Sequence, residues 1–164
     1  MPFQAPADGV LLPPYRILDL TGPEGVFCGK LLADYGADVV KIEPPGGDAA
    51  RQRPPFIGDQ PGPERSSYFL FYNTNKKSVT LDLESPQGQD LFKKMAATAD
   101  VVIESFPVGY MKSLGLDFDS LKTANPGLVM ASITPFGQTG PWKDFLTSDL
   151  VHLSAGGQMG CCGY

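Results

Sequence analysis

Histidine is almost missing from this sequence, with His152 the single copy in 164 residues, and cysteine is limited to Cys28, Cys161 and Cys162. An odd cysteine count without regular spacing excludes a disulfide framework, so a reducing, cytoplasmic setting is expected. Cationic runs are missing too. Thirteen lysines and arginines face eighteen acids, and the net charge of −5 removes any global electrostatic support for nucleic-acid binding. No apolar run approaches the roughly 18 residues of a membrane span. The opening stretch MPFQAPADGVLLPPY lacks the basic segment and long apolar core of a signal peptide. No internal repeat and no second domain are evident.

Glycine and proline, in contrast, are plentiful, and they fall between periodic segments as turn punctuation. At this length one domain is expected, burying about 68–70% of its unfolded surface. Residues 1–15 read as an extended lead-in and 16–164 as the domain. Arg16–Leu20 reads as a strand, and Glu24–Tyr35 as a helix with Val26, Phe27, Leu31, Leu32 and Tyr35 at helical spacing. Gly36 stands at the helix-ending position, and DVVKIE (38–43) is a second strand. Residues 44–65 form a long Pro/Gly-rich loop, a type that is often functional. Residues 68–72 are a short helix or strand, and SVTLDL (78–83) alternates as a half-buried strand.

Ser85 and Pro86 then start a helix reaching about Ala99, with Leu91, Phe92 and Met95 facing the core. Strands follow at 100–104 and 128–134. Short helices are expected near 108–113 and 118–124, and a last one at 147–156. The alternation of strand and helix gives an α/β fold with an open, mostly parallel, Rossmann-like sheet and helices on both faces.

Ligands of such sheets meet the carboxyl ends of the strands. The turn Thr21-Gly22-Pro23-Glu24-Gly25 does not match G-x-G-x-x-G, and Glu24 would repel a phosphate. Glu43 could mimic a ribose-binding acid, but the plain reading of the turn is a tight strand-to-helix connection. Cys161 and Cys162 have no basic partner in sequence to activate a thiol, and no metal site is expected.

Five blocks carry a more specific signal: LDLT (18–21), LADYGADVVKIEPPGGDAAR (32–51), NTNKKSVTLDL (73–83), ADVVIESFPVGYMKSLG (99–115) and NPGLVMASITPFGQTGP (125–141). In order and spacing this chain resembles the family III CoA-transferases over about residues 16–160. The resemblance implies the N-terminal, CoA-binding part of the large domain and transfer of CoA between an acyl-CoA and a carboxylic acid. Coenzyme A or acyl-CoA would be substrate rather than tightly bound cofactor. The implied CoA-contacting residues are Arg51, Asn75, Lys76, Leu81, Ser105, Phe106 and Lys112, with Arg53 and Lys77 as further cations. Arginine clamps phosphate bidentately and lysine acts as a point charge. Leu81 and Phe106 would pack near the adenine.

The chain departs from the family pattern at Pro44, at Phe106-Pro107-Val108-Gly109 and at Ser113, where relatives often carry a cation. The aspartate nucleophile of that family is expected beyond Tyr164, so no catalytic residue is assigned. The partners implied are a CoA thioester and a carboxylic acid, together with a homodimer mate or a chain supplying the missing half. Two alternatives stand beside transfer. One is a catalytically silent CoA-binding or assembly module. The other, an acyl-CoA racemase, is disfavoured because the His-Asp pair of that branch is Ser148-Asp149 here and the lone His152 lies three residues on.

Overall fold

A computed structural model describes residues 11–162. Strands β1 (Arg16–Leu20), β2 (Asp38–Glu43), β3 (Lys77–Thr80), β4 (Val101–Glu104) and β5 (Val129–Ser132) form one sheet. Their order is β3-β2-β1-β4-β5, and every pairing is parallel. β1 and β4 lie side by side at the point where the chain reverses its direction of travel across the sheet. β3 and β5 are the two edges.

Alternation within the strands divides the core in two. Leu18, Leu20, Ile42 and Val102 face a cluster completed by Phe92, Ala96, Met111, Leu116 and Leu121. Ile17, Val39 and Ile103 face the other way, against Ala33 and Ala37. Helix α1 (Val26–Asp34) covers the second face; α3 (Pro86–Ala96), α4 (Tyr110–Ser113) and α5 (Phe118–Leu121) cover the first. Helices therefore lie on both faces, as expected for this class. Full burial of a side chain such as Phe92 contributes about 1.5–3 kcal/mol.

Local chemistry sets the element ends. The Ser85 hydroxyl accepts from Gly88 N with Pro86 in the first turn, and Ser66 caps α2 (Ser67–Tyr72) in the same way. At the end of α1, Gly36 N donates to Ala33 O and Ala37 N to Leu32 O, a Schellman closure that Gly36 permits with a φ of 109°. Residues 44–65 carry two short 3₁₀ turns, Ala49–Gln52 and Ile57–Asp59. Two helices, α6 (Asp149–Ala155) and α7 (Gln158–Cys162), follow β5, and Ser148 caps α6.

Several expectations need correction. α1 buries Val26, Gly29 and Ala33 and leaves Phe27, Leu31 and Tyr35 exposed. The small residues face the sheet because side chains rising from it already fill that space: a Cβ on Gly29 would stand 2.2 Å from Asp19 Oδ2. Leu91 is 50% exposed, since α3 turns Gly88, Phe92 and Ala96 inward. β3 is shorter than expected and exposed along its length, because an edge strand has no neighbour on one side. Only Leu83, past its end, enters the core. α3 ends at Ala96 rather than Ala99. Of the expected lead-in, residues 1–10 lie outside the described residues, and Leu12 N donates to Tyr35 O.

Candidate functional site at the carboxyl edge of the sheet

Six charged side chains form a buried network under α1 and beside β2. Asp19, Lys41 and Glu43 sit on the α1 side of their strands, alternating with apolar residues. Lys76 Nζ contacts Asp19 Oδ2 at 2.7 Å, Val26 O at 3.1 Å and Asn73 Oδ1 at 3.1 Å, which uses all three ammonium donors. Lys41 Nζ meets Asp48 Oδ2 at 2.7 Å and Thr21 O at 3.0 Å. Asp19 Oδ1 accepts from Thr21 N and Oγ1, fixing the turn that leaves β1.

At the end of β2, Glu43 accepts from Arg51 through Nε at 2.6 Å and Nη2 at 2.7 Å, from Asp48 N at 2.8 Å and from the Ser78 hydroxyl. Burial opposes Glu43's ionisation, but Arg51, Ser78 and the Asp48 N–H outweigh it and pull the pKa down to about 2. Arg51 also reaches Glu64 at 2.6 Å and Pro63 O, and its guanidinium lies 3.8 Å from the centre of the Phe69 ring. For Lys76, burial lowers the pKa, against the pull of Asp19.

Arg51 and Lys76 are thus committed inside the protein, with side chains 12% and 1% exposed. The expectation that they present free cations to a phosphate does not match this geometry. Their carboxylate partners Glu43 and Asp19 lie in strands that read as apolar runs, so the pairing was hidden. Asn75, in the left-handed region at φ 63°, donates to Asp34 Oδ1 and shapes the turn into β3. Lys77 pairs with Asp38 on the surface, and Arg53 stacks on Tyr68.

Leu81, Phe106, Ser105 and Lys112 line cavities, though not a single one. Leu81 and Phe106 line one cavity of about 330 Å³ with Leu20, Ile42, Pro44 and Tyr110, at the carboxyl ends of β1 and β2. Phe106 and Tyr110 stand 4.8 Å apart, ring centre to ring centre. Burial, with Glu84 nearby, raises the Tyr110 pKa, and its hydroxyl donates to Glu84 Oε1 at 3.3 Å. Glu43, Asp82 and Glu84 also line this cavity, and no lysine or arginine among the described residues does.

Phe106 is shared with a second cavity of about 600 Å³, which holds Ser105, Glu24, Thr134 and Lys143. This one opens beside the β1–β4 junction, where open α/β sheets place their ligands. Ser105 Oγ there accepts from Gly22 N at 2.8 Å. Lys112 falls in a third cavity of about 530 Å³ with Glu104, Gln138 and Lys143. Tyr110, Glu104 and Lys143 were not foreseen. A charged residue closing the otherwise apolar run VVIE was the available sign for Glu104.

Two other groups are accounted for locally. His152 Nε2 lies 2.7 Å from Thr147 Oγ1, with its ring against Phe136. Cys161 and Cys162 are exposed and unpaired. Among the described residues there is no metal-binding cluster, and no helix is long and apolar enough to cross a membrane.

Comparison with known proteins agrees with the blocks. The model of CoA-transferase family III matches residues 12–164. The chain is 38% identical over 149 residues to the BbsE subunit of succinyl-CoA:(R)-benzylsuccinate CoA-transferase of Thauera aromatica, covering 91% of this chain and 36% of that protein. It is 43% identical over 142 residues to a succinate–glutarate CoA-transferase of Agrobacterium fabrum, covering 85% of this chain and 36% of the relative. A crystal structure of a CAIB/BAIF family protein from Brucella suis superposes with a TM-score of 0.79 at 40% identity, covering 87% of this chain and 38% of the other. The chain therefore spans little more than a third of the length of these relatives. On this match and this fold, it belongs to CoA-transferase family III.

Proposed function

We propose that this chain is the CoA-binding portion of an enzyme that moves CoA between an acyl-CoA and a carboxylic acid. The observation that carries the reading is the convergence of Leu81 and Phe106 on one apolar cavity at the carboxyl edge of the sheet. Apolar walls and an aromatic face suit a purine ring, and the shared Phe106 leads into the larger cavity at the β1–β4 junction. Lys143 is the cation available there for phosphate, and Lys112 joins it in the neighbouring 530 Å³ cavity, since Arg51 and Lys76 are held within the network. The unpaired cysteines suit a reducing, cytoplasmic compartment.

A second reading, a silent assembly module, is favoured by the three carboxylates and missing cation in the Leu81 cavity. Calorimetric titration with CoA separates the two. Binding that weakens about tenfold in both Leu81→Ala and Phe106→Ala supports CoA recognition, as loss of one well-buried apolar contact predicts. No heat of binding in the parent protein supports the silent module.

A further inference from the structure

Glu104 ends β4, the strand that flanks the β1–β4 junction, and is only 1% exposed. It lies on the same strand face as Val102, at the edge of the larger apolar cluster. None of the ion pairs among the described residues includes it. A carboxylate buried without a cation is costly unless hydrogen bonds hold it. Glu104 has two, and they come from different loops. Oε2 accepts from Phe106 N at 2.7 Å, and Oε1 accepts from Gln138 Nε2 at 3.4 Å.

The placement of these donors gives the carboxylate its importance. Phe106 belongs to the loop after β4 and forms part of the 330 Å³ and 600 Å³ cavities. Gln138 belongs to the glycine-rich loop after β5, which also carries Lys143, a residue shared by the 530 Å³ and 600 Å³ cavities. The buried anion thus lines the 530 Å³ cavity itself and is bonded to a residue that lines the other two. The short bond to Phe106 N is charge-assisted and fixes the backbone that aims the ring. The longer contact to Gln138 draws the second loop toward the same point.

We propose that Glu104 is a positioning residue for ligand binding, its carboxylate tying the Phe106 loop to the glycine-rich loop so that the cleft is formed before ligand arrives. The consequence for binding rests on the reading of that cleft as a CoA site; the tie between the loops does not. An apolar side chain of similar size could fill the same space, and relief from burying a charge without a cation offsets much of the cost of the donor left unpaired. It would, however, leave Phe106 N without an acceptor and release Gln138. A glutamine would keep an acceptor for Phe106 N, and the Gln138 amide can turn to match it.

The test compares the parent with Glu104→Met and Glu104→Gln in three measurements: thermal midpoint, calorimetric affinity for CoA, and acrylamide quenching of Trp142. Trp142 is the only tryptophan, and it sits on the glycine-rich loop near Phe136 and Phe145. Expected for Glu104→Met are a near-parental midpoint, affinity weaker by about tenfold, as loss of one charge-assisted hydrogen bond predicts, and more efficient quenching. Glu104→Gln should restore both affinity and quenching. Parental affinity and quenching in Glu104→Met overturn the proposal. So does a loss of binding that tracks a fallen midpoint and is not rescued by glutamine, since that marks a purely structural role. If Glu104→Met does not fold, Gln138→Leu cuts the second arm alone. It should raise quenching with a smaller loss of affinity, and unchanged quenching overturns the tie. A parent that does not bind CoA refutes the CoA reading, while the quenching comparison still decides whether Glu104 joins the loops.

Discussion

Removing the Arg51 guanidinium should cost stability rather than ligand affinity alone. Arg51→Ala would leave Glu43, 2% exposed, with only the Ser78 hydroxyl and the Asp48 N–H as partners. Breaking a buried ion pair by deleting one member typically costs about 3–5 kcal/mol. The pKa of Glu43, lowered by Arg51 together with Ser78 and the Asp48 N–H against the effect of burial, points the same way. A fall from the ordinary 4.5 to about 2 corresponds to about 3 kcal/mol of preference for the charged form in the folded protein. Against a total stability of about 5–15 kcal/mol for a domain, either figure is large.

The pH dependence follows from the sign of that shift. Because the folded pKa is depressed, the stabilisation is complete above about 4.5 and is lost as pH falls through about 2. Urea unfolding of parent and variant at pH 7 should therefore show the full deficit, and the difference should narrow as pH falls below about 4. Glu43→Gln combined with Arg51→Met should recover most of the loss at pH 7, since no unpaired charge remains. An Arg51→Ala midpoint equal to the parent's at pH 7, with weakened CoA binding, would refute this account and return Arg51 to the role of phosphate clamp.

Lys76→Met should destabilise by a comparable 3–5 kcal/mol, because it strands Asp19 at 0% exposure; thermal unfolding checks it. Gly29→Ala should cost about 1–3 kcal/mol or more by pressing its methyl against the Asp19 carboxylate; measured in an Asp19→Ala background, itself destabilised because Lys76 is stranded, the same change should cost less in a urea titration. Asp38→Asn, which removes surface pairs with Arg16 and Lys77, should move the midpoint by less than about 1 kcal/mol.

The sheet was legible in the sequence because aliphatic runs bounded by glycine and proline leave little choice of element, and the short connections require parallel neighbours. Helix faces were less legible. The positions of Phe27, Leu31 and Leu91 satisfy helical spacing, yet the sheet under α1 carries charged side chains that only glycine and alanine can approach, and α3 follows the Gly88–Phe92–Ala96 stripe. The same charges account for the uneven outcome at the site. Leu81, Ser105 and Phe106 line cavities at the strand ends, positions that the topology fixes. Arg51 and Lys76 could not be told from free cations, since nothing local in sequence announces a carboxylate waiting 8 or 57 residues away.

The two edges of the sheet differ in a way that bears on how it can grow. β3 opens on Lys77, whose side chain is 72% exposed and paired with Asp38 of the neighbouring β2. β5 reads Val-Met-Ala-Ser, without a charge, and Val129 is 57% exposed. Unpaired backbone N–H and C=O groups on an uncharged edge are a template for another strand. Of the two edges, the β5 side is therefore the one whose strand carries no charged residue, and the β3 side the one that opens on a lysine.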